Sequence, residues 1–290
     1  MGGQWSGVQI PAPRPALIHM LVRAVPEPSA AFPPPVSSRG MSKRPTILVT
    51  NDDGIHSPGL KALAGALEEV GELSIIAPDR ERSAAGHSLT LHKPLRATEI
   101  APRWYVVDGT PTDCVTLGVM GVLKERPRLV VSGINLGANL GDDITYSGTV
   151  SAAVEGTLLG IPAIAISAVE PSQHGLATAA AFAVRLALAV LERGLPRDTL
   201  LNVNVPAGEV RGVAVTRQGK RSYNELIVEK MDPRGKTYYW IGGGEPTWEL
   251  LGGTDYEAVM EGKISITPLH LDLTNYAAAE ALKGWETLLA

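Results

Sequence analysis

The sequence predicts an α/β fold, a Rossmann-like, doubly wound and mostly parallel sheet with helices on both faces. Runs such as Ile47-Leu48-Val49-Thr50 and Leu129-Val130-Val131-Ser132 are apolar nearly throughout, the pattern of a strand covered on both sides. These runs alternate with longer helical stretches, which is how parallel strands are connected. After Val205 the alternation gives way to Gly, Pro and Tyr, which predicts a smaller C-terminal part.

Taken in order, 47–50 reads as the first strand. A helix over 59–70 follows, opened by Pro58, whose fixed φ suits a first helical turn. Strands are expected at 73–77 and 104–107, a helix at 111–123 and a strand at 129–132. A helix over 149–159 is rich in small residues, and a strand at 163–167 follows it. The run 175–193 carries Ala and Leu on most faces and predicts a well-buried helix. A strand at 201–205 closes this region. Further strands are expected at 212–217 and 263–267, with aromatic hairpins between them and an amphipathic helix over 276–289. Exposed hairpins bearing Tyr238, Tyr239 and Trp240 suit contact between subunits. The expected organisation is therefore an α/β core over 46–211 and an oligomerisation region over 212–290. Residues 1–45 hold nine prolines and no periodicity; they read as a disordered tail or as an extension upstream of a start at Met41, with a transit or signal peptide as the minor alternative.

The chain has 290 residues, 44% of them hydrophobic and 19% charged, with a formal charge of −4. That composition fits a globular protein and supplies no basic field for duplex nucleic acid or an anionic membrane. No stretch reads as an unbroken bilayer span. The single cysteine, Cys114, excludes an intrachain disulfide and suits a reducing, cytoplasmic setting. Its surroundings read as core rather than as a nucleophile's.

In open α/β sheets, ligands sit outside the C-terminal ends of the strands, and three loops fall there. Asn51-Asp52-Asp53-Gly54 ends the first strand. Adjacent carboxylates repel, so a cation would offset their cost. Ser83 follows the second strand, and Asn135 the strand at 129–132. Asp52, Asp53, Ser83 and Asn135 make a hard four-oxygen set suited to Mg²⁺ or Mn²⁺ rather than zinc. Ser147-Gly148-Thr149 opens a helix, where free N–H groups and the dipole favour a phosphate, and Asn139 offers a further donor. Each feature has a plainer reading: Asp-Asp-Gly is also a turn, Ser147 a simple cap, His56 and His87 structural or peripheral, Asp142-Asp143 a solvated loop or helix-entry feature.

Together the segments Thr50-Asn51-Asp52-Asp53-Gly54, Ala77-Pro78-Asp79-Arg80-Glu81-Arg82-Ser83, Gly109-Thr110-Pro111-Thr112-Asp113, Val131-Ser132-Gly133-Ile134-Asn135-Leu136-Gly137-Ala138-Asn139 and Tyr146-Ser147-Gly148-Thr149 resemble the survival protein E (SurE) family of metal-dependent nucleotidases. Asn202-Val203-Asn204-Val205-Pro206 and Ile264-Ser265-Ile266-Thr267-Pro268 add to the likeness, which runs from about Met41 to Leu289. The resemblance implies one divalent metal per subunit, held by Asp52, Asp53, Ser83 and Asn135. It also implies a phosphate pocket at Asn139, Ser147, Gly148 and Thr149, with Asp52 or Asp53 as base or orienter for an attacking water. The implied reaction is hydrolysis of nucleoside 5′- and 3′-monophosphates, with short polyphosphate as a further substrate. Homodimers or homotetramers are implied too, through exchange of the hairpin region 219–262 and the terminal helix.

Two other readings stand beside this one. An Asp could attack phosphorus directly, as in haloacid-dehalogenase-type phosphatases, although those space their two Asp by one residue. Alternatively, the chain could bind nucleotides without catalysis and recruit a partner through its aromatic hairpin.

Overall fold

The computed structural model describes residues 44–222, 227–241, 247–249 and 251–290. The expected tail lies outside these but for its last two residues, as does part of the glycine-rich stretch between the aromatic hairpin and Trp248.

In chain order the first strands are β1 (Thr46–Thr50), β2 (Glu72–Pro78), β3 (Ala97–Ala101), β4 (Trp104–Val107), β5 (Leu129–Leu136), β6 (Ala163–Ala168), β7 (Thr199–Val205) and β8 (Gly212–Val215). The short β9 (Arg221–Ser222), the hairpin strands β10 (Ile227–Met231) and β11 (Thr237–Ile241), the short β12 (Thr247–Trp248) and the long β13 (Lys263–His270) complete the set. Nine of them form one sheet in the order β3-β4-β2-β1-β5-β6-β7-β13-β8. Its centre, β4-β2-β1-β5-β6-β7, is parallel throughout. The chain steps outward from β1 to β2 and β4, then returns to the other side of β1 with β5. That reversal places the topological switch point between β1 and β5.

The helices are α1 (Pro58–Leu67), α2 (Pro111–Leu117), α3 (Gly148–Leu158), α4 (Gln173–Arg193), α5 (Asp255–Met260), α6 (Tyr276–Leu282) and α7 (Trp285–Leu289). Alternation along β1 sorts them into two layers. Ile47 and Val49 face a core with Leu60 and Leu63 of α1 and Leu176 and Ala183 of α4. Leu48 faces the opposite core, with Cys114 of α2 and Val150 of α3. Every residue of β1 is buried, as a strand sandwiched between helices requires.

Several expectations are adjusted. The helix expected over 111–123 tightens into α2 and then loosens into a π-helical turn over Gly118–Val122; a Cβ at Gly118 would press on Leu48 and Ile76 of the sheet. The helix expected over 276–289 is two short helices, because Gly284 interrupts it. Strand β3 was not foreseen: all five of its residues are exposed, so it carries no apolar run. The helix α4 is 21 residues, with an 18-residue stretch of mean hydropathy 1.7, long and apolar enough by length and composition to cross a bilayer. This corrects the expectation that no segment approaches that length. The helix lies on the sheet instead, with Leu176, Ala179, Ala183 and Ala187 buried and Arg185 and Leu188 on its outer face, so it is half buried rather than enclosed.

Candidate active site

The site is built at the switch point. Asn51 is fully buried and turns the chain as β1 ends. Its Nδ2 donates to the Gly54 carbonyl at 3.1 Å, and its Oδ1 accepts from the Gly54 N–H at 3.2 Å. Gly54 takes φ +95° against the Arg80 backbone, a conformation that favours glycine. This turn leaves two consecutive carboxylates at the sheet edge, one buried (Asp52) and one half-buried (Asp53). The loop after β2 is laid across them, with the Arg82 N–H donating to the Asp52 carbonyl at 2.7 Å.

Asp52 meets the start of α3. The Thr149 hydroxyl donates to Asp52 Oδ1 and lies 3.3 Å from Asn135 Oδ1. A Cβ at Gly148 would stand 2.7 Å from Asp52 Cβ and 2.9 Å from its Oδ2, so glycine permits this approach. Burial pushes the Asp52 carboxyl up, while hydrogen bonds from Thr149 and from the N–H groups of Asp52, Thr149 and Gly148 work against that rise. Asp53 is pushed up to about 6, by burial first and then by the charge of Asp52, with the Leu136 N–H opposing. Its Oδ2 is buried and has no hydrogen-bond partner.

That bare oxygen tests the fit of a cation. A buried carboxylate oxygen without a donor is costly, and a divalent ion beside it would remove the cost and the repulsion from Asp52 together. No group of three or more His, Cys, Asp or Glu side chains stands together among the described residues. A metal here would draw on two carboxylates completed by neutral oxygens. Asn135 is positioned for this: its Nδ2 donates to the Gly137 carbonyl at 2.9 Å, which turns its Oδ1 toward Thr149 and Asp52. The donors fit a hard divalent cation.

The remaining expected residues are placed less directly. Ser83 is exposed, and its hydroxyl donates to Glu81 Oε1 at 2.6 Å. It lies one residue beyond the Arg82 contact to Asp52. Ser147 caps α3 by accepting from the Val150 N–H at 3.1 Å. Asn139 is buried, and its Nδ2 donates to Ser167 Oγ at 2.8 Å. Its N–H donates to Asn204 Oδ1, and its carbonyl accepts from Asn202 and Asn204. Cys114 is fully buried with its thiol pushed well up by burial, as a core residue should be.

Several contributors escaped the sequence reading. Asn202 and Asn204 carry the segment that leads into α3. Asp142 and Asp143 enter the 3-10 turn Gly141–Thr145, the helix-entry place expected for them; what was missed is Arg221, whose N–H donates to Asp142 at 3.0 Å and whose guanidinium pairs with Asp143. Asp255, at the first turn of α5, accepts from the Gly141 N–H at 2.9 Å and the Gly219 N–H at 2.8 Å. Trp248 stacks on Tyr256 with centroids 4.3 Å apart and covers Gly141. The contacts to Asn139, Gly141, Asp142 and Asp143 join residues more than 60 positions apart, and no local pattern announces them. Asn51 did carry a signal, since Asn at a strand exit is a turn former.

Fold and site together define a doubly wound α/β protein with an anionic, oxygen-rich centre at its switch point. The model of the survival protein SurE family matches residues 47–225. The 5′-nucleotidase SurE of Geobacter sulfurreducens is 62% identical over 245 residues, covering 83% of this chain and 93% of its own length. Its counterpart in Syntrophotalea carbinolica is 58% identical over 243 residues, covering 82% and 96%. The crystal structure of SurE from Aquifex aeolicus superposes with a TM-score of 0.75 at 50% identity, over 83% of this chain and all of that one. The chain belongs to the SurE family.

Proposed function

We propose that this chain is a divalent-metal-dependent 5′-nucleotidase that hydrolyses nucleoside 5′- and 3′-monophosphates to nucleoside and phosphate. Relatives at about 60% identity bear the name 5′-nucleotidase, which supports the nucleotidase class. The observation that carries the metal dependence is the Asp52-Asp53 pair, with one buried oxygen left bare.

Asp52, Asp53, Ser83 and Asn135 would hold one Mg²⁺ or Mn²⁺ per subunit. Bound there, the ion would supply Lewis acidity at the phosphoryl group and offset the paired carboxylates. The chain's own groups do the rest. Asp52 is oriented by Thr149 and the start of α3. Asp52 or Asp53 would orient an attacking water and accept its proton. Ser147, Gly148, Thr149 and Asn139 would line the phosphate pocket, where the positive end of the helix dipole stabilises charge as it develops on the phosphoryl oxygens.

Purified protein should release phosphate from AMP with Mn²⁺ present and lose that activity to a chelator. Absence of turnover with metal supplied would leave the non-catalytic reading standing. Trapping of a phospho-enzyme would replace water attack by direct attack of an Asp.

A further inference from the structure

The loop that carries Ser83 is fastened to α3 by a side chain that the reaction itself leaves unused. Glu155 is the sole ionisable residue of α3 and is 7% exposed. Both of its oxygens are occupied: the Thr116 hydroxyl donates to Oε1 at 2.7 Å, and His87 Nε2 lies 2.9 Å from Oε2. His87 comes from the loop after β2, four residues beyond Ser83, and keeps about a third of its side chain exposed. A buried carboxylate needs such partners, and an apolar residue would fill this small-residue helix more simply.

Glu155 stands six residues beyond Thr149, about 9 Å further along the helix axis. His87 meets α3 there rather than at the helix start, and it is tied to Ser83 through the loop. Between Arg82, which donates to the Asp52 carbonyl, and His87, the chain passes through Ala84 at φ 56°. A left-handed alanine costs about 1 kcal/mol or more. Contacts at both ends hold that conformation: Arg82 on Asp52 on one side, Gly86 on the Tyr146 carbonyl and His87 on Glu155 on the other.

We propose that His87 is a positioning residue: its hydrogen bond to Glu155 rivets the loop to α3 and so keeps Ser83 beside the carboxylate pair as a metal ligand. This rests on the four-oxygen reading of the site. Outer partners that orient ligands typically change metal affinity by 10- to 100-fold when removed.

The test is calorimetric titration of the full-length protein with Mn²⁺ alone, in wild type, Ser83→Ala, His87→Ala, His87→Gln and the double variant Ser83→Ala/His87→Ala. His87→Ala should weaken Mn²⁺ binding about tenfold, and kcat at saturating Mn²⁺ should change far less. His87→Gln, which keeps an N–H for Glu155, should bind as wild type does. The double variant should bind no more weakly than Ser83→Ala, because the rivet acts through that ligand. Wild-type affinity in His87→Ala alongside a loss in Ser83→Ala overturns the rivet and leaves the metal site standing. Equal losses in His87→Gln and His87→Ala overturn it as well. Wild-type affinity in Ser83→Ala overturns the four-oxygen site, and the rivet with it.

Discussion

At the scale of single residues, the Asp52-Asp53 pair is the point of greatest electrostatic cost. Both carboxyls are pushed above their ordinary value near 3.8, Asp53 to about 6. In the metal-free protein the folded state therefore holds protons that the unfolded state has released between about pH 4 and 6. The pair costs least below that window, and its cost grows as pH rises through it. Thermal melts in chelator should show stability from this source falling between about pH 4 and 6, and Asp53→Asn should flatten the fall. Mn²⁺ should raise the melting temperature more at pH 7 than at pH 5. The same substitution should lower kcat/KM for AMP on the order of 10²-fold or more, since it removes a ligand rather than an outer partner. Two adjacent carboxylates closing an apolar run are visible in the sequence. The bond from Thr149 to Asp52 is not, because it joins positions 97 apart.

At the scale of elements, α3 does two tasks at its N-terminus. It caps itself through Ser147, and through Gly148 it admits Asp52 to within contact of its backbone. Gly148→Ala would push a methyl into Asp52 and should cost about 1–3 kcal/mol in denaturant melts. It should also weaken Mn²⁺ binding, which a substitution on the helix's far end would not do. Elements whose burial is two-sided were legible: β1, β2, β5, β6 and β7 announce themselves as apolar runs. β3 was not, since an exposed edge strand needs no such run. β9 and β12 are two residues each, below the length at which any period can be read. Gly284 was visible inside the terminal amphipathic stretch, and its cost in a helix interior, about 1 kcal/mol, decided the break.

At the scale of the whole molecule, the parts beyond β7 are tied to the site and also face outward. The hairpin β10–β11 pairs only with itself among the described strands and exposes Tyr239, Trp240 and Ile241. If this apolar surface joins subunits, as proposed from the sequence, Trp240→Glu should yield smaller species by light scattering. Asp255→Ala would leave two buried N–H groups, of Gly141 and Gly219, without acceptors. It should cost about 2–6 kcal/mol, at 1–3 for each group, and lower kcat by loosening the turn that leads into α3. The parallel core of the sheet was legible as alternating runs. The insertion of β13 between β7 and β8 was not, because antiparallel return of a late strand leaves no mark on its own residues. That insertion bears on how the protein is made. β8 touches the sheet only through β13, and Asp255 reaches back 114 positions to Gly141. A chain still on the ribosome can thus lay down the six central strands, but it cannot finish its reactive centre until nearly its last segment has emerged.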